Sequence, residues 1–288
     1  MRHIFVIHGP NLNLLGEREP ELYGTETLEE INQYISDRAR EYDLRVSFFQ
    51  SNHEGAIIDK LHEVRGEVDG VVINPAAYTH YSYAIRDAIA AIKVPTVEVH
   101  LSDISRREAF RRVSVLADVC VYQIMGYGRD SYVYAIETLL GLEVAEKFSR
   151  QAASLADRDA MLKEAVRLLH TRFPKYDWTG IYLLEGQELV LHNFIGAPSP
   201  HTRIPVGKGI CGAAVAEEKT IIVPDVHADP RYLACSLETQ SEIVVPIVAG
   251  GKIVGEIDID SHRPDAFKEH DQWYLEKMAE AIGARAFG

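Results

Sequence analysis

The stretch Ile4-Phe5-Val6-Ile7-His8-Gly9-Pro10-Asn11-Leu12-Asn13 decides the fold of the first part of the chain. Its four consecutive apolar residues predict a short strand that is buried on both faces, as in a parallel sheet. Gly9 and Pro10 end that strand, and polar side chains follow them. The carboxyl ends of parallel strands share one edge of a sheet, so polar residues that follow several such strands are expected to meet in one crevice.

The same pattern recurs up to about residue 145. Further strands are predicted at residues 44–49, 71–73, 96–99 and 120–124. Apolar residues at helical spacing lie between them, and Thr27 with Glu30 forms a capping box at the start of the first helix. Strands that alternate with helices predict a five-stranded, parallel, doubly wound sheet. Cys120, within the last of these strands, is expected to be a small buried apolar residue.

The second half of the chain has a different pattern. Residues 147–158 are polar and lack a wide apolar stripe, so we interpret them as a linker between a domain at 1–146 and a domain at 159–288. After the linker, an amphipathic helix precedes strands at 179–184 and 188–193. A hairpin follows across residues 249–252, and a last helix runs over 269–286. This order predicts an α+β domain with an antiparallel sheet.

Composition excludes several classes of protein. The 288 residues carry a formal net charge of -13, which disfavours nucleic acid as a partner. No stretch approaches the roughly 18 apolar residues of a membrane span, and the first apolar run is too short for a signal peptide, so we expect no membrane partner and a cytoplasmic protein. The three cysteines match no zinc-binding spacing, so we predict no metal site, and any cysteine function is expected to be redox or nucleophilic.

Polar side chains gather at the predicted strand ends of the first domain. They are the amides of Asn11 and Asn74, the imidazoles of His53, His80 and His100, the guanidinium groups of Arg18, Arg107 and Arg111, and the phenol of Tyr23. Taken singly, each is more often a packing or surface residue, but their convergence on one edge favours a site. Such a set suits a small oxygen-rich anion. No glycine-rich phosphate motif is present, so we expect no nucleotide cofactor.

Several of these segments together resemble one enzyme family. Residues 9–24, 50–55, 74–80 and 98–102, with Arg107 and Arg111, are similar to type II 3-dehydroquinate dehydratase. The resemblance implies a flavodoxin-like fold, a homododecamer and a shikimate-pathway enzyme. It also implies that water is removed from 3-dehydroquinate by anti elimination through an enolate, without metal or cofactor.

The resemblance also implies a role for each matching residue. Tyr23 would be the base, and Arg18 would favour its phenolate, since an ordinary tyrosine is a poor base at neutral pH. Asn11 would stabilise the enolate through a water, and His100, oriented by Glu98, would protonate the leaving hydroxyl. Substrate would be bound by Asn74, His80, Asp87, Leu101, Ser102 and Arg111. The chain departs from the family at residue 8, a histidine where asparagine is frequent.

The last predicted strand of the second domain places acidic residues side by side. Alternation sends Glu256, Asp258 and Asp260 to one face, and Glu242 lies on the neighbouring strand. These carboxylates are interpreted as the wall of a pocket for an ammonium group, the alternative being a solvated sheet face. Cys211 lies at a predicted helix start after Lys208, and Cys235 lies in a loop, so thiol redox chemistry is the hypothesis for this domain.

Segments of the second domain resemble a GAF domain of the free methionine-(R)-sulfoxide reductase type, namely residues 203–212, 224–227, 234–236, 241–246 and 258–261. The resemblance implies that Cys235 attacks the sulfoxide and that Glu242, Asp258 and Asp260 bind the substrate. His201 replaces a third cysteine of that family, so Cys211 or an external thiol such as thioredoxin would complete the redox cycle. The alternative is a GAF domain that senses a small amino compound and regulates the dehydratase.

Overall fold

A computed structural model describes residues 2–17, 24–233, 236 and 238–288 of the chain. The chain divides into two units, Met1–Leu140 and Gly141–Gly288. The predicted linker, residues 147–158, overlaps the end of one helix, Asp130–Ala152, and the first residue of the next, Arg158–Arg172. The domain boundaries drawn from the sequence stay a prediction.

The first unit is built on five parallel strands in the order β2-β1-β3-β4-β5. This is the flavodoxin-like order, and the predicted fold class is confirmed. The strands are β1 His3–His8, β2 Arg45–Gln50, β3 Gly70–Asn74, β4 Thr96–His100 and β5 Tyr122–Met125. In the register, His8 lies beside Asn74, so the two segments that follow β1 and β3 leave the sheet at the same level.

Helices alternate with these strands, as the apolar spacing predicts. They are α1 Leu28–Arg40, α2 Glu54–Val64, α3 Tyr83–Ile92 and α4 Asp130–Ala152. The capping box of α1 is confirmed: the backbone N–H of Glu30 donates to Thr27 Oγ1 at 3.2 Å, and the Glu30 carboxylate accepts from the backbone N–H of Thr27 at 2.8 Å. Buried apolar side chains of α2 and α3 pack against β1 and β3.

Two expectations for this unit need correction. Residues 44–49 were expected in a strand buried on both faces, but β2 is an edge strand whose side chains are half-buried or exposed. An edge strand has one neighbour only, so its apolar residues are covered less completely. Cys120 precedes β5 instead of lying within it, and it is only partly buried.

The second unit carries a six-stranded antiparallel sheet in the order β8-β7-β6-β11-β10-β9. Its strands are β6 Trp178–Glu185, β7 Glu188–Ile195, β8 Arg203–Pro205, β9 Ile221–Val223, β10 Ser241–Ala249 and β11 Lys252–Ser261. Its helices are α5 Arg158–Arg172, α6 Gly209–Glu217 and α7 Glu269–Ala286. The predicted hairpin is confirmed by the pairing of Ala249 with Lys252, whereas the sequence did not predict the three-residue strands β8 and β9.

One face of this second sheet is covered by α6. Trp178, Tyr182 and Val244 point to that face and form a buried cluster with Cys211 and Ala214 of the helix. Glu256, Asp258 and Asp260 pair with residues of the same parity, so they lie on this face as well. Among the described residues, no helix has both the length and the apolar character needed to cross a bilayer.

Candidate active sites

A cavity of about 200 Å³ lies at the carboxyl ends of β1, β3 and β4 in the first unit. Its lining comes from the segments that follow these strands and from two turns of 3-10 helix further along the chain. The lining residues are Pro10, Asn11, Leu12, Leu15, Asn74, Ala76, Ala77, His80, His100, Leu101, Ser102, Ile104, Arg107 and Arg111. Polar groups that are distant in the sequence therefore meet at one sheet edge.

Gly9 allows the first two of these segments to approach each other. Its N–H donates to the carbonyl of Asn74 at 2.7 Å, and a Cβ at this position would lie 2.5 Å from the carbonyl oxygen of Pro75. Any side chain here would push the two loops apart. Asn11 adopts a left-handed conformation with a φ of 66°, and its N–H donates to the side chain of Asn52 at 2.8 Å. The two segments that carry Asn11 and Asn74 are thus held together beside the cavity.

A histidine and a buried carboxylate form the centre of the site. Nε2 of His100 lies 2.8 Å from Oε1 of Glu98, and Glu98 is fully buried. Because Glu98 holds one ring nitrogen, Nδ1 is the nitrogen that can exchange a proton with a molecule in the cavity. The pair has the geometry of a general acid whose orientation a carboxylate fixes.

Four groups hold the Glu98 carboxylate. Besides His100, the hydroxyl of Thr79 and the amide of Gln123 donate to it, and Ser114 Oγ donates to Oε2 at 2.8 Å. Burial by itself would raise the pKa of Glu98, but the hydrogen bonds and the charge of His100 outweigh burial and hold that pKa below its ordinary value. Glu98 is therefore an anion at neutral pH.

A series of hydrogen bonds between side chains holds Asn74. Its Nδ2 donates to the Tyr132 hydroxyl at 3.1 Å, and that hydroxyl lies 2.9 Å from Nδ1 of His8. Nε2 of His8 in turn lies 2.8 Å from the side-chain oxygen of Asn32. Burial lowers the pKa of His8 to about 4 and raises the pKa of Tyr132, so both are neutral at pH 7. The departure at residue 8 is thus accommodated by uncharged partners.

Cationic groups line the part of the cavity that is formed by residues 107–111. Arg107 and Arg111 both contribute to the lining, and Nε of Arg111 lies 3.9 Å from Glu108. Nδ1 of His80 is held by the carbonyl of Val113 at 2.9 Å. Guanidinium groups beside a small cavity suit a carboxylate ligand.

The structure brings together many of the residues that the sequence singled out. Asn11, Asn74, His80, His100, Leu101, Ser102 and Arg111 line the cavity, and Glu98 lies behind His100. Asp87 does not line it: its side chain is 78% exposed on α3, where it pairs with Arg86. Tyr23 and Arg18 lie outside the described residues.

The sequence analysis missed the groups that hold the site in place. Thr79, Ser114, Gln123 and Tyr132 contact Glu98 or Asn74, and none was singled out. For Gln123 a signal existed, since a polar side chain inside a predicted buried strand needs a partner. Ser114 lies in an irregular segment, and nothing in the local pattern marks it.

The second unit contains a buried cluster of acids. Glu242, Glu256, Asp258 and Asp260 are each at most 5% exposed, and Glu242 pairs directly with Asp260 across β10 and β11. The alternative of a solvated sheet face is therefore wrong. Opposite Asp258 on β6 stands Gly180, and the space above it is filled by the ring of Trp178.

Cys211 lies in the first turn of α6 against these acids. Its Sγ is 3.5 Å from Oδ2 of Asp258 and 3.9 Å from Oε1 of Glu242. Burial raises the pKa of Glu256 and of Asp258 to about 8. Burial and the neighbouring carboxylates also raise the pKa of Glu242 and of Asp260. The cluster favours a positively charged group.

The remaining predictions for the second unit concern Cys235 and His201. Cys235 lies outside the described residues. The backbone carbonyl of His201 accepts a hydrogen bond from the Tyr182 hydroxyl at 2.8 Å. The role of Cys235 stays a prediction. The same holds for the thiol that would act in place of a cysteine at position 201.

Comparison with known proteins divides the chain in the same way. The family model described as dehydroquinase class II matches residues 2–140, and the GAF domain model matches residues 157–285. A 3-dehydroquinate dehydratase from Halothermothrix orenii is 54% identical over 142 residues, which is 49% of this chain and 96% of that relative. Another, from Caldicellulosiruptor saccharolyticus, is 54% identical over 145 residues, which is 49% of this chain and 100% of that relative.

Among solved structures, the free methionine-R-sulfoxide reductase from Neisseria meningitidis, in complex with its substrate, is 37% identical with a TM-score of 0.50. The similarity covers 52% of this chain and 90% of that one. The second half of the chain is therefore similar in sequence and structure to a GAF protein with reductase activity.

Proposed function

Since the chain belongs, through its first half, to the class II dehydroquinase family, we propose that this half dehydrates 3-dehydroquinate to 3-dehydroshikimate. The observation that carries this proposal is the His100–Glu98 pair in a small cavity lined by amides and guanidinium groups. Such a lining suits a small carboxylate that bears hydroxyl groups. The proposed place of the reaction is the shikimate pathway of aromatic amino acid biosynthesis.

The first step is removal of a proton beside the ketone. In the proposal Tyr23 takes that proton as a phenolate, and Arg18 favours the phenolate by its charge. The electron pair of the broken C–H bond moves into an enolate. Asn11 stabilises the enolate oxygen through a bound water, for which its place in the cavity lining is suitable.

The second step is loss of the hydroxyl group from the opposite face. The C–O bond breaks as the enolate collapses to the conjugated alkene, and protonated His100 supplies the proton with which the hydroxyl leaves as water. The anionic Glu98 accepts from Nε2 of His100 and keeps its ring oriented. Asn74, His80, Leu101, Ser102 and Arg111 bind the substrate in this proposal, and Asp87 is a further candidate despite its exposed position.

An absorbance assay tests this proposal. Purified full-length protein should generate the conjugated enone of 3-dehydroshikimate from 3-dehydroquinate, and Tyr23→Phe and His100→Gln should each lower kcat by about 10²–10⁴-fold. His62→Gln is the matched control, because His62 is exposed at the end of α2. Unchanged turnover in both site variants would refute the assigned base and acid.

For the second half, we propose reduction of free methionine-(R)-sulfoxide. The Cys235 thiolate attacks the sulfoxide sulfur, the oxygen is transferred to the cysteine as a sulfenic acid, and methionine is released. Cys211 then attacks the sulfenic sulfur, water leaves, and the disulfide is reduced by thioredoxin. The support is the position of Cys211 beside four buried carboxylates, which would take the ammonium group of the substrate.

A non-catalytic sensor is the second candidate function for this half. It is favoured by His201, which stands where the reductase family has a further cysteine, while the acidic cluster alone suffices to hold an ammonium group. In that case the domain regulates the dehydratase when a small amino compound binds.

Thioredoxin-coupled oxidation of NADPH separates the two candidates. Turnover with methionine-(R)-sulfoxide that disappears in Cys235→Ser, but persists in Cys120→Ser, supports the reductase. Absence of turnover together with calorimetric binding of methionine or its sulfoxide supports the sensor. If neither turnover nor binding is found, both proposals for this half fail.

We also propose that the protein is cytoplasmic and assembles as a homododecamer through its dehydroquinase half. Light scattering coupled to size-exclusion chromatography measures the assembly directly. A monomer or dimer at micromolar concentration would contradict the proposal.

A further inference from the structure

The thiol and two carboxylates of the second unit lie at separations close to those of ligands around one metal ion. One atom from each of Cys211, Glu242 and Asp258 lies within 4.8 Å of the others. The separations of Sγ from Asp258 and from Glu242 are 3.5 and 3.9 Å. Tetrahedral zinc has Zn–S distances of about 2.3 Å and Zn–O distances of about 2.0–2.2 Å, which place sulfur and oxygen ligands roughly 3.5 Å apart.

An independent observation points to a missing positive charge at this position. Glu256 is fully buried, and neither of its carboxylate oxygens has a hydrogen-bond partner among the residues that the structure describes. Oδ1 of Asp258 is likewise without one in that part of the chain. Buried polar atoms without partners are rare and costly, and a bound ion is one of the ordinary explanations.

Glu256 belongs to the same acidic face as two of these ligands. It lies two residues before Asp258 on β11, so both side chains leave the same face of the sheet. Glu242 pairs with Asp260 on that face, so the buried acids of β10 and β11 lie together. Glu256 therefore adds a buried negative charge next to the group of possible metal ligands.

The chemistry of the donor atoms selects among cations. Calcium and magnesium take oxygen ligands, so a thiolate in the set disfavours them. An ammonium group gains hydrogen bonds from carboxylates but little from sulfur. Zinc is bound by thiolate and carboxylate ligands alike, and three protein ligands can hold it with a fourth position left for a small molecule.

We propose that the second unit binds a divalent transition-metal ion, best matched by Zn²⁺, between Cys211, Glu242 and Asp258, with the fully buried Glu256 as a neighbouring negative charge. No electron is transferred when the ion binds. The thiol proton and the carboxyl protons of the cluster are released to solvent as the sulfur and oxygen atoms coordinate the metal. The ion replaces protons as the group that neutralises the buried acids.

This site goes beyond the functions proposed above, and it does not depend on them. It competes with both functions proposed for the second half, because Glu242 and Asp258 cannot hold a metal ion and an ammonium group together. A cysteine that is coordinated to zinc cannot attack a sulfenic acid, so metal binding and the resolving step of Cys211 exclude each other at any one time.

The test uses reduced, chelator-stripped, full-length protein and two metal ions. Calorimetry with Zn²⁺ should give one strong site per chain, with a heat that varies with the ionisation enthalpy of the buffer because protons are released. Titration with Co²⁺ should give the absorption band of a cobalt–thiolate bond. Cys211→Ser should remove the band and weaken zinc binding by more than about a hundredfold, since even outer-shell partners change metal affinity by 10–100-fold.

Three further variants make the test specific. Glu256→Gln should weaken zinc binding at least about tenfold, whereas Cys120→Ser, in the first unit, should leave both the affinity and the band unchanged. Cys235→Ser should keep the band. Thermal unfolding and dehydratase turnover of each variant show whether the chain is folded.

Two results would overturn the proposal. One is the absence of strong zinc binding to the reduced protein. The other is a cobalt–thiolate band that survives in folded Cys211→Ser, which would place the metal on another cysteine.

Discussion

Glu98 illustrates how much of the proposed site depends on a side chain that does not line the cavity. It is fully buried, yet it remains an anion because His100, Thr79, Ser114 and Gln123 all donate to it. A single buried carboxylate without such donors would be neutral at pH 7. Its hydrogen bond to Nε2 in turn fixes the orientation of the His100 ring, which a general acid needs.

Replacement of Glu98 by glutamine should therefore reduce catalysis more than binding. We expect kcat for 3-dehydroquinate to fall by about 10²-fold, within the range for general acid catalysis, while KM changes little. The matched control is Glu63→Gln, because the Glu63 side chain is 64% exposed on α2. Steady-state kinetics across pH 5–9 measure both parameters. A change confined to KM would show that Glu98 serves binding instead.

Neutralisation of Glu98 should impair catalysis, whereas neutralisation of an acid in the second unit should stabilise the protein. Burial raises the pKa of Glu256 to about 8, so folding at neutral pH requires a proton or a cation at this group. Because one pKa unit corresponds to about 1.4 kcal/mol, Glu256→Gln should stabilise the chelator-treated protein by at least about 1 kcal/mol at pH 7. Thermal unfolding in the presence of a chelator measures the change, with Glu238→Gln as the exposed control. A destabilised variant would contradict the assigned burial.

At the scale of elements, most strands and helices followed from the spacing of apolar residues. The five strands of the first sheet were predicted because runs such as Ile4 to Ile7 are apolar at consecutive positions. The three-residue strands β8 and β9 were not, because they are too short to show a period. The exposure of β2 was also missed, since the position of a strand at a sheet edge depends on long-range pairing that local pattern does not contain.

The site itself was predictable to the extent that its residues follow strands. Asn11, Asn74 and His100 were singled out because they lie at strand ends, and the structure brings them to one cavity. The contacts of Ser114 and Tyr132 could not be predicted, because they connect positions 16 and 58 residues apart in the chain. The acids of β10 and β11 were placed together from the alternation of their strands, whereas the contact of Cys211 on α6 with Asp258 was not predicted, because it joins positions 47 residues apart.

The capping box of α1 gives a prediction for one helix. Thr27→Ala removes the oxygen that accepts from the backbone of Glu30, so we expect a loss of about 1 kcal/mol in the stability of the first unit. Urea denaturation measures it. Glu30→Gln is the control, because a glutamine oxygen can still accept from the backbone N–H of Thr27. No loss in Thr27→Ala would show that the cap does not stabilise the first unit, and a loss in Glu30→Gln would measure the contribution of the Glu30 charge.

The close approach of two loops gives another prediction. In Gly9→Ala the new methyl group would meet the carbonyl oxygen of Pro75 at 2.5 Å, so the loops that carry Asn11 and Asn74 must separate. We expect both lower stability and a lower kcat/KM for 3-dehydroquinate, measured by thermal unfolding and by the absorbance assay. Gly55→Ala tests the alternative that any added methyl group lowers activity, since no atom lies within 4 Å of a Cβ there and the residue has no positive φ. Full activity in Gly9→Ala would show that the loop positions are adjustable.

At the scale of the whole molecule, the two units should respond to pH with opposite signs. In the first unit burial lowers the pKa of His8 to about 4, so the unfolded chain takes up a proton first and stability falls as the pH drops from about 6.5 to 4. The lowered pKa of Glu98 adds a loss of stability only below its ordinary value of 4.5. In the second unit the pKa values of Glu256 and Asp258 are raised to about 8. There the stabilisation is complete below the ordinary pKa of about 4 and is lost as the pH rises toward 8.

Differential scanning calorimetry with a chelator present tests this contrast. Between pH 8 and pH 5 the transition of the second unit should rise in temperature relative to that of the first unit. Glu256→Gln identifies the second transition, because only that one should shift. Transitions that move together over this range would contradict the assignment of the titrating groups to separate units.

The crowding of four acids on one sheet face also has an evolutionary consequence. Replacement of Glu242, Glu256, Asp258 or Asp260 by an uncharged residue would remove a group whose burial opposes folding. Random mutation alone would therefore tend to remove these acids, because nearly every replacement of one of them increases the folding stability of the domain. A lineage that stops using the occupant of this pocket should lose these acids early, while its dehydroquinase half goes on unchanged.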